Sequence, residues 1–259
     1  MKEFNAKEEK EKIINFIRTY YKKSNAKGAI LGISGGKDSG VVAALMCEAL
    51  GSENVIGVTM PCHSHDEDKI DAHLISSFYN FRMLNFDLTK IYDTFKEELE
   101  LEKDIIGDYK EEDLKDSDIN IKPRLRMATV YYLAALLSKL NGGTYLVCGT
   151  SNKCELYVGY FTKGGDNVCD IAPIYDLTVS EVIALGKELK VPDKVLLKVP
   201  SDGLSNMSDE DKLGVKYNDI EKYIEGDSNL SEETARRIEN LHKRNEHKFN
   251  LPKYIKDNN

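Results

Sequence analysis

The chain has 259 residues, a formal net charge of −8 and 41% hydrophobic residues, enough to bury a substantial core. Its acidic balance argues against a broad nucleic-acid footprint, which needs a basic stripe to neutralise phosphates. No apolar run is long enough to span a bilayer, and the charged N-terminus lacks the apolar region of a secretory signal.

In chain order, Ile13, Ile14, Phe16, Ile17 and Tyr20 recur at helical spacing, which predicts a helix from Phe4 to Tyr21. Ala29 to Ile33 is a short apolar run ending at a glycine turn, and it predicts a buried strand. The sequence DSGVVAALMCEALG then predicts a helix stopped by Gly51. A strand closed by Pro61, a helix from Asp66 to Tyr79, a strand at FRMLNF and a helix over LTKIYDTFKEELELEKD follow. Residues Ile105 to Asn120 are acidic and poor in apolar side chains, and they predict a surface excursion. Leu125 to Leu140 predicts an apolar helix, Thr144 to Cys148 a strand entering the turn GTSN, and Ser180 to Leu189 a helix. Pro200 to Asp211 is polar and rich in breakers, which predicts a loop. Helices near Tyr217 to Ile224 and Glu232 to Glu246 complete the chain. Alternating strands and helices predict an α/β fold, a doubly wound parallel sheet with helices on both faces and further helices at the C-terminus. In such a sheet the ligand sits beyond the carboxyl ends of the strands. Both the turn after Ile33 and the turn after Cys148 are there.

The first of these turns is Ser34-Gly35-Gly36-Lys37-Asp38-Ser39. Adjacent glycines let the backbone approach an oxyanion, and the following helix start faces it. Ser34 and Ser39 add hydroxyls, Lys37 adds a charge, and Asp38 is a hard oxygen ligand suited to Mg²⁺. The spacing is not that of Walker A. The plain alternative is an N-cap after a glycine turn.

Cys47, Cys62, Cys148, Cys154 and Cys169 are odd in number and contain no CxxC pair. Free thiols in a reducing cytoplasm are the default expectation. Cys62-His63-Ser64-His65-Asp66 has no companion ligands and reads as a polar loop. Cys148 and Cys154 lack a visible base and read as packing residues.

The SGGKDS loop resembles that of the N-type ATP pyrophosphatases, or PP-loop enzymes, whose fold is adenine nucleotide alpha hydrolase-like. The blocks NIKPRLRM, GTSNKCELYVGYFTKGGDNVCDIAPIYDLT, KVPSDGL, SDEDKLGVKY and NEHKFNLP, in this order, are similar to those of the ammonia-dependent NAD synthetases. The likeness covers nearly the whole chain, and the GYFTKxGD block is its most specific part. It implies one ATP-pyrophosphatase domain over residues 1–259 with no glutaminase domain. It also implies ATP as a substrate with Mg²⁺, and deamido-NAD amidated by ammonia through an acyl-adenylate.

Carried over by residue, the resemblance puts ATP at Gly32, Ile33, Ser34, Gly35, Gly36, Lys37, Asp38, Ser39, Thr150 and Ser201. Ser34, Lys37 and Asp38 act in catalysis, and Asp38 with Glu155 holds the metal. Arg124, Lys163, Asp170, His247 and Lys248 are assigned to deamido-NAD. The family often has a lysine after Asp-Leu-Thr, where this chain has Val179; Lys37 is the candidate replacement charge. Ser201 to Lys212 is the candidate lid. The resemblance further implies a homodimer with the dinucleotide at the subunit interface, and no nucleic-acid or membrane partner. A separate amidotransferase subunit stays open as the ammonia source. The competing functions are another PP-loop ligase or tRNA-modifying enzyme, and a nucleotide-binding protein without turnover.

Overall fold

A computed structural model describes residues 4–64, 66–198, 208–227 and 229–250. Ser201, His65 and most of the candidate lid lie outside the described residues. The chain runs through helix α1 (Ala6–Ser24), strand β1 (Ala26–Gly32), α2 (Lys37–Leu50), β2 (Val55–Thr59), α3 (Asp66–Tyr79) and β3 (Arg82–Asn85). It continues through α4 (Thr89–Leu101), α5 (Lys103–Ile106), α6 (Glu111–Asn141) and β4 (Thr144–Val147). Then come α7 (Lys153–Val158), α8 (Val179–Glu188), α9 (Asp193–Leu196), α10 (Asp209–Leu213), α11 (Tyr217–Glu225) and α12 (Glu232–Asn245).

The described strands form one parallel sheet in the order β3-β2-β1-β4. Along β1 the side chains alternate between faces. Ala29, Leu31 and Ile33 meet α1, α2, α8 and α9 in one core, while Ile30 joins Val130, Leu133 and Ala134 of α6 in another. Layers on both faces explain why β1 and β2 read as unbroken apolar runs. Ile14 and Ile17 of α1 are fully buried, worth about 2 kcal/mol each by burial. A third cluster packs α11 and α12 against Cys154 and Val158 of α7.

From β1 the chain winds outward to β2 and β3, then returns through α4 to α6 to place β4 on the other side of β1. The order therefore reverses between β1 and β4, and a crevice opens at their carboxyl ends. No described helix is long and apolar enough to cross a membrane.

One expectation is corrected. Residues 105 to 120 are mostly exposed, but the helix expected from Leu125 begins earlier. From Glu111 they are the first turns of α6, which runs 31 residues straight through Pro123. Pro123 removes only the N–H that would bond the Ile119 carbonyl, and the helix continues past it. The acidic run Glu111, Glu112 and Asp113 lies in the first turn, where it complements the helix dipole. Asp113 also accepts from Lys110 N at 2.8 Å. Within the segment read as a polar loop, Asp209–Leu213 forms α10, capped by Ser208.

Candidate active site

The glycine turn begins where β1 leaves the sheet, with Ile33 N donating to the Val58 carbonyl at 2.9 Å. Gly35 has φ of 81°, and a Cβ there would sit 2.5 Å from the Asp68 carbonyl oxygen of α3. Both facts require glycine. Ser34 Oγ lies 3.1 Å from Ser39 Oγ and accepts from Gly36 N at 3.2 Å, which closes the turn. Helix α2 then starts with Gly36 at the N-cap and no side-chain cap. Its first N–H groups and dipole face the crevice, the arrangement that receives a phosphate.

Asp38 stands at the head of α2. Its Oδ2 accepts from Lys37 Nζ at 2.8 Å, and its Oδ1 from Asn152 Nδ2 at 3.2 Å. Asn152 is fully buried and caps α7. Its Oδ1 accepts from Cys154 N and Glu155 N, and its own N–H donates to Glu155 Oε2 at 3.1 Å. One asparagine thus ties the carboxylate of α2 to the carboxylate of α7. Burial and then Asp38 push the Glu155 carboxyl up to about 8, with Lys37 opposing. Lys37 is 5% exposed and lies 5.7 Å from the centre of the Tyr217 ring. Burial alone would lower its pKa, but Asp38 and Glu155 raise it.

Two carboxylates forced together, with oxygen donors only, fit a hard divalent cation. Mg²⁺ uses one or two protein carboxylates and completes its shell with phosphate and water. Among the described residues there is no cluster of three or more side chains that could hold a metal ion.

A cavity of ≈ 360 Å³ opens on this pair, within the range of a small-molecule site. Gly32, Ile33, Ser34, Gly36, Lys37, Asp38, Ser39, Thr150 and Glu155 all line it. Gly35 shapes the turn instead. Thr150 is held there because Gly149 N bonds the Ile171 carbonyl at 2.8 Å.

The NAD synthase family model matches residues 9–252. The ammonia-dependent NAD synthetase of Carboxydothermus hydrogenoformans is 38% identical over 252 residues, 96% of this chain and 97% of that one. The NMN synthetase structure from Francisella tularensis superposes with a TM-score of 0.86 at 31% identity, covering 98% of this chain and 99% of that one. The ammonia-dependent NAD synthetase of Campylobacter jejuni superposes at 0.77 and 28% identity, covering 98% and 100%. The chain belongs to the NAD synthase family.

The residues that the resemblance assigns to the dinucleotide lie outside the cavity. Arg124 Nε and Nη2 both donate to the Lys163 carbonyl at 3.3 Å, and Lys163 Nζ donates to the His247 carbonyl at 2.9 Å. These three are exposed and gather at one place. Lys248 instead donates to the carbonyls of Gly159 and Phe161 at 2.6 and 2.7 Å, so its ammonium ties the C-terminal segment to the loop after α7. Asp170 accepts from Val147 N at 2.8 Å and from the Tyr131 hydroxyl at 3.1 Å, at the end of β4. Val179 opens α8 and packs against the C-terminal cluster.

Sequence reasoning missed Asn152, although the spacing Asn152 to Glu155 is that of a capping box. It also assigned no role to Arg126, Tyr160, Lys198 and Asp209, which line the cavity although each lies in one of the blocks NIKPRLRM, GTSNKCELYVGYFTKGGDNVCDIAPIYDLT, KVPSDGL and SDEDKLGVKY. The His63 loop is a polar surface feature: His63 Nε2 lies 2.7 Å from Asp93 Oδ1, with both side chains half exposed. The Cys148 and Cys154 thiols are pushed up to about 12 by burial, which leaves them unreactive packing groups.

Proposed function

We propose that this chain joins ammonia to the nicotinate carboxylate of deamido-NAD at the expense of ATP, giving NAD, AMP and pyrophosphate. The observation that carries the reading is the Asp38–Asn152–Glu155 constellation beside an uncapped helix start, in a chain of the NAD synthase family. Oxide is too poor a leaving group for ammonia to displace from a carboxylate. The carboxylate therefore attacks the α-phosphorus of ATP, and the bond to the bridging oxygen breaks to release pyrophosphate. Ammonia next attacks the acyl carbon, AMP leaves, and the excess proton passes to solvent. The glycine turn and the α2 N-terminus receive the departing phosphates, with Ser34, Ser39 and Lys37 as donors. Thr150 contacts ATP from the β4 side. Asp38 and Glu155 would hold Mg²⁺, which supplies charge neutralisation across the phosphates. Lys37 supplies the charge that Val179 cannot. Most of this work is positioning and electrostatics.

Arg124, Lys163 and His247 form the outer patch for the anionic dinucleotide. On α6, Tyr132, Leu136 and Leu140 follow at four-residue spacing and are 68%, 44% and 72% exposed. Such an apolar stripe beside Arg124 calls for a cover, and a second copy of the chain would both bury it and enclose the dinucleotide. Light scattering gives twice the chain mass if so. The five cysteines are all free thiols, which suits the cytoplasm.

The test is NAD formation from deamido-NAD, ATP and Mg²⁺ with either an ammonium salt or glutamine. Equimolar NAD, AMP and pyrophosphate with ammonium alone supports the reading; ATP binding without product in either arm overturns it. The Francisella tularensis likeness favours a second reading, amidation of the mononucleotide nicotinate substrate. The two readings separate on kcat/KM for the mononucleotide against deamido-NAD.

A further inference from the structure

Lys198 lies just past α9 and reaches into the cavity that holds Gly36, Lys37 and Asp38. Its Nζ donates to Asp68 Oδ1 at 2.9 Å and to Asp71 Oδ2 at 2.7 Å, both on α3. The same two residues floor the glycine turn. A Cβ on Gly35 would sit 2.5 Å from the Asp68 carbonyl oxygen and 3.1 Å from Asp71 Cβ. The Lys198 ammonium is therefore anchored directly beside the turn that receives the phosphates.

Asp71 is 1% exposed and has a second cation, Lys194 Nζ, 2.7 Å from its Oδ1. Compensating a buried carboxylate needs one lysine, since what is costly is leaving it with none. Lys194 is 54% exposed and does not line the cavity, whereas Lys198 is 24% exposed and does. Lys198 can turn toward an anion in the cavity while Lys194 keeps Asp71 neutralised. Lysine suits that task, being a compact charge on a flexible stem.

We propose that Lys198 is a further substrate-contacting residue of this site, a second cation that binds the pyrophosphate end of ATP and helps it leave. The inference rests on the reading that the glycine turn holds that end. Burial acts to lower the Lys198 pKa, but Asp71 and Asp68 outweigh it and the net shift is upward, so the group is a cation at working pH.

The experiment compares Lys198→Gln, Lys198→Arg and Lys194→Gln for the KM of ATP and for product inhibition by pyrophosphate and by AMP. Loss of one charge-assisted contact predicts about a tenfold rise in ATP KM and in the pyrophosphate inhibition constant for Lys198→Gln. AMP inhibition should be unchanged, and Lys198→Arg should recover part of the loss. Lys194→Gln should move none of these. Equal effects in the two Gln variants, or a loss of AMP and pyrophosphate binding together, would reduce Lys198 to a structural clamp and overturn the proposal. In the wild-type chain, pyrophosphate should slow acetylation of Lys198 and not of Lys194; equal labelling with and without pyrophosphate also overturns it. A wild-type enzyme that releases no pyrophosphate would sink the parent reading. One that releases it, with Lys198→Gln unaltered, sinks this inference alone.

Discussion

Around the β1 and β4 ends, the buried Asn152 links two carboxylates, its side-chain amide donating to Asp38 Oδ1 and its backbone N–H to Glu155 Oε2. In the outer patch, Arg124, Lys163 and His247 are exposed, and each link runs from a side chain to a backbone carbonyl. The inner group is preorganised: its charges are fixed before any ligand arrives, and moving one disturbs the others. The outer group is exposed, and its Arg124 and Lys163 ends are held only by backbone carbonyls. Mutations should therefore act on rate and stability in the inner group, and on substrate KM in the outer one.

The largest break is expected from Asp38→Asn. It removes the negative charge that faces Lys37 and Glu155 and one of the two carboxylates proposed to hold the metal. A loss of about 10³-fold in kcat is expected for NAD formation, on the scale of losing one preorganised electrostatic contact, with an unchanged circular-dichroism spectrum. Activity within threefold of wild type would show that Asp38 is not at the reacting end.

Asn152→Ala tests whether the inner group is one unit. It deletes the cap of α7 and leaves Asp38 Oδ1 without its amide donor. About 2 kcal/mol of stability should be lost, with a fall in kcat although Asn152 touches no reacting atom. A thermal melt and initial rates on one preparation suffice, and a stability loss at full activity would uncouple Asn152 from the site.

Arg124→Ala and Lys163→Ala probe the other side of the comparison. Each should raise the KM of deamido-NAD about tenfold by losing a charge-assisted contact. Both should leave the KM of ATP unaltered and stability within about 0.5 kcal/mol, as for surface changes generally. If ATP KM rose instead, the outer patch would belong to the nucleotide.

These regions were unequally legible in the sequence. Helix α1 and the glycine turn announce themselves locally, through the spacing of Ile13, Ile14 and Ile17 and through adjacent glycines, of which Gly35 takes a positive φ. The nine expected residues that line the cavity cluster in two short stretches, 32–39 and 150–155. Lys198 meets Asp68 across 130 residues, so no window along the chain contains the pair. The first turns of α6 failed for another reason. Their acidic residues suit both a solvated excursion and a helix N-terminus, and few apolar side chains mark a helical period there. Packing decided it: Leu114 is buried and Asn120 accepts from Thr162 Oγ1 at 2.9 Å, contacts that a sequence does not display.

The subtlest expected effect is a dependence on pH confined to the inner group. Glu155 is raised from its ordinary value to about 8 by burial and Asp38. Between those two values the folded chain holds a proton that the unfolded chain has released. The metal-free protein should therefore lose stability as pH rises toward 8, a sign opposite to that of a salt-bridged carboxylate. Binding of Mg²⁺ needs the ionised carboxylate, so the metal's stabilisation must grow over the same interval. The melting-temperature gain on adding Mg²⁺ with a non-reacting ATP analogue should be larger at pH 8.5 than at pH 6.5. Glu155→Gln should flatten that difference, because its amide neither titrates nor repels Asp38. A gain independent of pH in the wild type would mean that Glu155 is ionised throughout, with its charge already balanced by Lys37. Arg124→Ala, whose change lies in the exposed patch, should retain the full pH dependence, which keeps the two regions distinct.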